Sequence, residues 1–237
     1  MISKVLAFDV WADYGYFRRG YTTTSTISYP FPSRTTVAGL ISAMLGLPRD
    51  SYYEIFDEEN SKIGVNILNP IKKVHFNLNY INTKEGFFLH DIRGPGKRSQ
   101  VEAEFLKNPK YRIYVGLEDQ ELMGKLYDLL WNHKSIYTPY LGISECIANF
   151  SMVGDDFIEL KQVNGDNVCV DSVIPKEGHN LVIESDRKYG LIKTPCFMDS
   201  NRVVTSFKEF YFEENTKSIQ LESADYYKIG GDNVILF

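Results

Sequence analysis

The sequence lacks several features that would place the protein in a familiar class. No apolar run approaches the roughly 20 residues that span a bilayer, and Asp9 interrupts the opening segment too early for a signal peptide. Only three cysteines occur, far apart and without a CxxC spacing, so neither a disulfide framework nor a zinc site is predicted. We expect a soluble, cytoplasmic, globular protein that does not contact membranes and needs no metal or cofactor.

Catalytic signatures are also missing. The sequence has no GxSxG, no HExxH, no clustered aspartate motif and no dinucleotide-binding fingerprint. The histidines His75, His90, His133 and His179 are scattered, and none adjoins a recognisable nucleophile. His90 and Asp91 would point to opposite faces of a strand. We therefore predict no catalytic residues.

Net positive charge is absent as well, because the formal charge is −5. The cations are nevertheless concentrated in two segments. Residues 1–49 carry five Lys or Arg against two acids, and residues 93–112 carry six against two, whereas the C-terminal third is acidic. Phosphate binding needs local rather than global positive potential. On composition alone, RNA binding and an ordinary solvated surface are equally compatible with this distribution.

Hydrophobic periodicity predicts a helix from about residue 34 to 45, with Ser33 as N-cap and Gly46 just past its end. A second helix is expected from about Glu118 to His133. Strands are expected at 5–8, within 63–80, and at 87–92, 111–115 and 234–237, the last after a Gly230–Gly231 turn. The glycines and prolines of 93–110 preclude a long regular element and predict a protruding loop or hairpin. Asn164–Gly165 predicts a hairpin turn between 157–163 and 168–170.

This order predicts an α+β fold: a ferredoxin-like domain over residues 1–150, followed by a small β-rich domain over 151–237. The boundary near residue 150 follows from the change to short strands and turns.

Three segments could contact nucleic acid. The first alternates tyrosines with Arg18 and Arg19 within residues 14–21, which suits phosphate binding and base stacking; its alternative is a loop whose rings cap the core. The second is Ser33–Arg34 at the predicted helix start, where free N–H groups attract anions, although simple N-capping explains Ser33. The third is the basic 93–110 segment, which could equally be a solubilising loop. The candidate RNA-binding residues are Tyr16, Arg18, Arg19, Tyr21, Ser33, Arg34, Arg93, Lys97 and Arg98.

Three blocks of sequence resemble the Cas-five family of CRISPR-associated RAMP proteins, in the style of its subtype I-B branch. The first block comprises the opening strand, the aromatic-arginine loop and the run YPFPSRTTVAGL that leads to Leu45–Gly46. The second runs from Gln100 to Tyr114 with the core EFLKNPKYRIY, and the third is YTPYLGISEC at 137–146. The blocks cover most of residues 1–150 in order, whereas residues 151–237 match only in length and β-rich character.

The resemblance implies a ferredoxin-like RRM or RAMP domain with an inserted thumb hairpin, which the Arg93–Lys110 segment would form. It implies an RNA-binding subunit of a type I effector complex, Cascade, that acts in antiviral defence. Such a subunit holds the 5′ handle of the crRNA and contacts the backbone and large subunits. Arg18, Arg19, Tyr21 and Arg34 would face the handle, with Lys97 and Arg98 at the thumb tip. An indirect contact with target DNA stays open.

Two alternatives remain. One branch of the family cuts precursor crRNA without metal, using a tyrosine, a lysine and a histidine. No Lys-His pair occurs where that branch carries it, and His133–Lys134 is in reverse order, so the non-catalytic role is predicted. The other alternative is a structural protein whose aromatic side chains pack on partner subunits.

Overall fold

A computed structural model describes residues 2–20, 22, 25–81 and 98–237. Within these residues it contains two helices and fourteen strands. In chain order they are β1 (Lys4–Trp11), β2 (Tyr14–Gly15), β3 (Ser25–Thr26), α1 (Arg34–Leu45), β4 (Ser61–Ile67), β5 (Lys73–Ile81), β6 (Arg98–Lys107), β7 (Lys110–Leu117), α2 (Gln120–Trp131), β8 (Asn149–Glu159), β9 (Gln162–Val170), β10 (Ile174–Pro175), β11 (Tyr189–Met198), β12 (Val204–Glu213), β13 (Ile219–Ile229) and β14 (Asp232–Val234).

Both predicted helices form, because their ends are encoded locally. Ser33 caps α1 by accepting a hydrogen bond from the Thr36 N–H, and Gly46 ends it in the left-handed conformation with φ of 74°. The Asp119 side chain caps α2, so that this helix is shorter at both ends than the predicted 118–133.

The first sheet has the order β4-β7-β1-β8 and is antiparallel throughout. Alternation in β1 divides its side chains between two cores. Leu6, Phe8 and Val10 belong to the main core with both helices, whereas Val5 and Ala7 pack with residues of β13 and β14. Along the chain, the strands of this sheet and the two helices follow the order β1-α1-β4-β7-α2-β8. Both faces of the sheet are covered, because each set of β1 side chains packs in its own core.

Smaller sheets complete the molecule: β10-β12-β11, β14-β13-β9, and a sheet in which β2, β3 and β5 all pair with β6. The described chain is thus a mixed fold with short helices and several mainly antiparallel sheets. The first sheet runs past residue 150, because β8 pairs with β1, and the main core includes Phe210 and Phe212 from the C-terminal part. The two-domain division stays a prediction.

Three predictions about strands are wrong. The last strand, β14, covers Asp232–Val234 and not the predicted 234–237. Residues 98–107 form a ten-residue strand, β6, because the helix- and strand-breaking residues lie outside it at 94–96 and 109. Asn164–Gly165 does not turn the chain: it lies inside β9 and pairs with Asp225 and Ala224 of β13. Residues 160–161 link β8 to β9, and these two strands pair with different partners, β1 and β13. The Gly230–Gly231 turn is confirmed, with both φ angles positive, whereas the predicted strand at 87–92 lies outside the described residues.

The cysteines differ in exposure, and this difference predicts their reactivity. Cys169 is exposed, whereas Cys146 and Cys196 are buried. Burial raises the pKa of the Cys146 thiol to about 11 and also raises that of Cys196. Because the thiolate is the nucleophile, we expect a thiol reagent to modify Cys169 at least about tenfold faster than the other two. Mass spectrometry over time would measure this, with denatured protein as the control; equal rates in the folded protein would contradict it.

None of the helices in the described ranges is long and apolar enough to cross a membrane.

Candidate nucleic-acid interface

The arginine loop and the basic hairpin belong to one sheet. Strand β6 pairs with β2 through Tyr14 and Lys107, and it pairs in parallel with β3. Between β2 and β3, Arg18 forms an isolated bridge with Ser28, whose N–H donates to the Glu104 carboxylate of β6. The loop over residues 14–28 is therefore anchored along β6, which also forms the hairpin with β5.

The β5–β6 hairpin has two chemically different faces. Its register pairs Val74 with Phe105, Phe76 with Ala103 and Tyr80 with Ser99. Since paired residues share a face, one face is apolar and aromatic. The opposite face is polar: His75 contacts Glu102 at 3.1 Å, and Lys73 contacts Glu104 at 3.3 Å. We call the first face the ring face.

Three rings on the ring face are exposed. Phe76 is 39% exposed and Tyr80 50%, and Tyr14 contacts Phe76 edge-on, with ring centroids 5.2 Å apart. Phe76 also contacts the buried Phe105, on which Tyr16 stacks. Phe76 is thus supported by a buried ring, and Tyr14 is supported by Phe76.

The predicted loop residues divide between the core and the surface. Tyr16 is buried, and its hydroxyl donates to Thr26 Oγ1 at 2.5 Å. Arg18 is exposed, and its Nη2 donates to the Thr22 carbonyl. Arg19 is half-buried, with its guanidinium 5.5 Å from the centre of the Tyr29 ring and its Nε bonded to the Ser28 carbonyl. Of the two arginines predicted in this loop, Arg18 is the one that is exposed.

The predicted helix-start site lies in the interior. Ser33 is buried as the N-cap, and Arg34 is only 1% exposed. The Arg34 Nη2 donates to the Asp57 carbonyl and to both the carbonyl and the hydroxyl of Ser61, and the guanidinium lies 4.6 Å from the centre of the Phe197 ring. Desolvation lowers the pKa of Arg34 to about 10. A guanidinium held in this way is not accessible to a phosphate.

A cavity of about 1150 Å³ beside the first turn of α1 does not suit a polyanion either. Its lining contains the guanidinium groups of Arg49 and Arg202, both within salt-bridge distance of Asp50. The carboxylates outnumber these two cations; they belong to Asp50, Glu54, Asp57, Glu58 and Asp199. The structure therefore joins two of the three predicted segments, the loop and the hairpin, and separates the helix start from them.

The remaining predicted residues lie in or beside the segment without described positions. Tyr21, Arg93 and Lys97 fall outside the described residues. Arg98 is exposed at the start of β6, opposite Ile81 of β5. It lies at the opposite end of β6 from Lys107, after which the chain continues into β7.

The described histidines have structural surroundings. His75 pairs with Glu102, His133 stacks on the Phe150 ring, and His179 Nδ1 contacts the carbonyls of Pro175 and Glu177. Across the described positions, no three His, Cys, Asp or Glu side chains form a group that could hold a metal ion.

Sequence reasoning missed Phe76 and Tyr80, which the ring face exposes. The signal was available, because Val74, Phe76, Leu78 and Tyr80 alternate with polar residues at the period of a strand. Such a pattern usually indicates a half-buried strand, and only the hairpin geometry shows that part of this stripe has no cover among the described residues.

Comparison with known proteins agrees with this architecture. A family model described as CRISPR-associated protein (Cas_Cas5) matches residues 5–195, whereas a search of curated proteins found no match. Among solved structures, the chain is similar to a CRISPR protein from Archaeoglobus fulgidus, with a TM-score of 0.56, 17% identity, and coverage of 99% of this chain and 98% of that one. A chain of a CRISPR RNA-guided surveillance complex matches at a TM-score of 0.49 and 12% identity, with 91% of each chain covered.

The similarity to the Archaeoglobus protein supports a shared fold over nearly the whole of both chains. The family match spans most of the sequence, including both helices, the β5–β6 hairpin and the arginine loop. The chain belongs to the Cas-five family of CRISPR-associated proteins.

Proposed function

We propose that this protein is a non-catalytic, RNA-binding subunit of a type I CRISPR effector complex of the subtype I-B kind. In this role it would hold the 5′ handle of the crRNA. The observation that carries the proposal is the shared sheet: β2, β3 and β5 all pair with β6, which brings Arg18, Lys107 and the exposed rings onto one continuous structure. Guanidinium and ammonium groups beside aromatic rings suit single-stranded RNA.

The strand order supports a ferredoxin-like, RAMP-type domain as part of this proposal. A β-α-β-β-α-β chain order with the sheet order β4-β7-β1-β8 is the arrangement that the resemblance implies. In RNA-recognition modules, aromatic residues on the sheet itself stack the bases. Here the corresponding face is covered by β13 and β14, so RNA binding falls to the hairpin and the loop instead. The hairpin then serves as the thumb.

The acidic C-terminal part would contact protein or solvent rather than RNA. Residues 151–237 carry nine Lys or Arg against fifteen acids, which disfavours contact with a polyanion. The backbone and large subunits of the complex are the partners that the family resemblance implies, in the cytoplasm.

Changing Arg18 and Lys107 together to Ala should weaken binding and reduce its salt dependence. The logarithm of the binding constant falls linearly with the logarithm of the salt concentration, and each phosphate contact contributes about −0.7 to this slope for single-stranded RNA. The double change should therefore make the slope less steep by about 1.4. Fluorescence anisotropy with a repeat-derived RNA at several salt concentrations measures both quantities. As a charge-matched control, Lys176→Ala with Lys188→Ala, two exposed lysines of the C-terminal part, should leave the slope unchanged. An unchanged slope in the Arg18–Lys107 variant would argue against this surface.

The non-catalytic assignment has its own test. Purified protein incubated with repeat RNA in EDTA should leave the RNA intact, because the described histidines engage structural partners rather than a general-base arrangement. Discrete RNA fragments with defined ends would instead show that the protein is a metal-independent endoribonuclease.

A further inference from the structure

We propose that the ring face contains two separate base-stacking subsites, one at Phe76 in the corner that it forms with Tyr14, and one at Tyr80. The subsites would hold two unpaired bases whose nucleotides do not follow one another directly in the RNA strand. This inference rests on the proposed RNA-binding function and specifies the separation between the bases that the protein would bind.

The spacing of the rings follows from strand geometry. Phe76 and Tyr80 lie four residues apart on the same face of β5, and a strand advances about 3.3 Å per residue, so their backbones are about 13 Å apart. Stacked bases rise by only about 3.4 Å per nucleotide. A stacked strand therefore cannot place neighbouring bases on the two rings. At least one nucleotide must therefore lie between the bases that the rings hold.

Between the two rings, the described residues of this face are apolar. Leu78 lies between Phe76 and Tyr80 on this face, opposite Val101 of β6. Both are apolar and half-buried. Stacking on a ring is possible for every base, since every base has a π-face. The subsites should therefore recognise the presence of a base, not its identity.

The charge on the ring face favours RNA over a basic protein segment. On β5 and β6, this face carries the cation Lys107 and no carboxylate, since Glu102 and Glu104 point to the polar face, where they pair with His75 and Lys73. Lys107 is paired in register with Tyr14. A phosphate next to the base in the Phe76–Tyr14 corner would thus meet a cation on the same face.

The subsites can be mapped with abasic RNA. The full-length protein is titrated with the shortest repeat-derived RNA that still binds, so that the strand cannot slide, and one nucleotide at a time is replaced by an abasic residue. We expect two sensitive positions separated by at least one tolerant nucleotide, each losing about 5- to 150-fold in affinity. Exchanging one base for another at these positions should have little effect.

Variants assign each position to its ring. Tyr80→Ala should abolish the sensitivity at one position, and Phe76→Ala at the other. Matched controls are Asn79→Ala and Asn77→Ala, neighbours on the polar face of the same strand, which should leave the abasic profile unchanged. Since Phe76 packs on Phe105, thermal melting checks its folding, and Tyr80→Ala, at a half-exposed position, tests the inference independently.

The outcomes separate this inference from the proposed function. Tight RNA binding with a flat abasic profile, or with two adjacent sensitive positions, overturns the subsites and leaves the RNA-binding function standing. Failure of the unmodified protein to bind any repeat RNA overturns both. Ring variants that retain RNA binding but no longer assemble with the other subunits of the complex would identify the ring face as a protein contact, which also overturns the inference.

Discussion

Gly142→Ala should destabilise the protein by more than about 4 kcal/mol, a loss that single substitutions seldom reach. Gly142 has a φ of 97°, and a Cβ there would lie 1.9 Å from the Tyr16 carbonyl oxygen. The Tyr16 N–H donates to the Leu141 carbonyl at 2.9 Å, so the two segments cannot separate without losing that bond. Urea unfolding followed by circular dichroism measures the change.

Gly178→Ala is the matched control for this substitution. Gly178 also has a positive φ, 79°, but it is exposed and nothing lies within 4 Å of the position that a Cβ would take. It should cost about 1 to 2 kcal/mol, the strain of the left-handed backbone alone. If both variants lost the same stability, the contact between Gly142 and Tyr16 would have no energetic importance.

The same contact links stability to the proposed function. Gly142 belongs to the segment 137–146, and Tyr16 to the arginine loop. A variant that still folds must displace the backbone near Tyr16, and with it the adjacent Arg18. We therefore expect any folded fraction of Gly142→Ala to bind RNA more weakly than the Gly178→Ala control.

Arg112→Leu should cost about 3 kcal/mol, the lower end of the range for buried pairs, because it removes one partner of an ionic network in which Asp9 is buried and Arg112 and Asp232 are half-buried. Arg112 contacts Asp9 at 2.8 Å and Asp232 at 2.9 Å, and Tyr114 donates a hydrogen bond to Asp232. The hydrogen bond to Asp9 is the main reason that the pKa of Arg112 is raised above its ordinary value. Without the guanidinium, Lys110, at 3.3 Å, is the cation that remains beside the buried Asp9 carboxylate among the described residues.

The effect should extend to the C-terminal hairpin. Asp232 begins β14, which packs with β13 against the face of the first sheet that the helices leave uncovered. Amide hydrogen exchange in β14 should accelerate more than exchange in α1. The double variant Asp9→Leu with Arg112→Leu should recover part of the lost stability, because it also removes the buried Asp9 carboxylate, whereas the charges of Asp232 and Lys110 that remain are more exposed. Purely additive losses would show that the two residues do not stabilise each other.

The helices were the most predictable part of the fold. Ser33, Gly46 and the apolar stripe between them act within one or two turns of chain, so the sequence near residue 34 already contains the interactions that start and end α1. The hairpin turn at Gly230–Gly231 was predictable for the same reason, since both residues tolerate positive φ.

Strand pairing was less predictable. Asn164–Gly165 carries a turn signal, yet the segment stays extended because β13 supplies a partner for each of its residues. Tertiary pairing therefore outweighed a local preference of the kind that short hairpins follow. In the same way, β6 was not expected to be regular, and its regularity depends on pairing with β2, β3 and β5, which lie elsewhere in the chain.

The sequence by itself determined the two helices, the family and the basic segments, because these depend on neighbouring residues, motifs and composition. Only the tertiary structure decided which cations reach the surface. Arg34 and Arg18 look alike in the sequence, but Ser61 and Phe197 enclose the first, while the bridge to Ser28 leaves the second exposed. Burial depends on residues distant in the chain that pack around a side chain, and no local pattern contains that information.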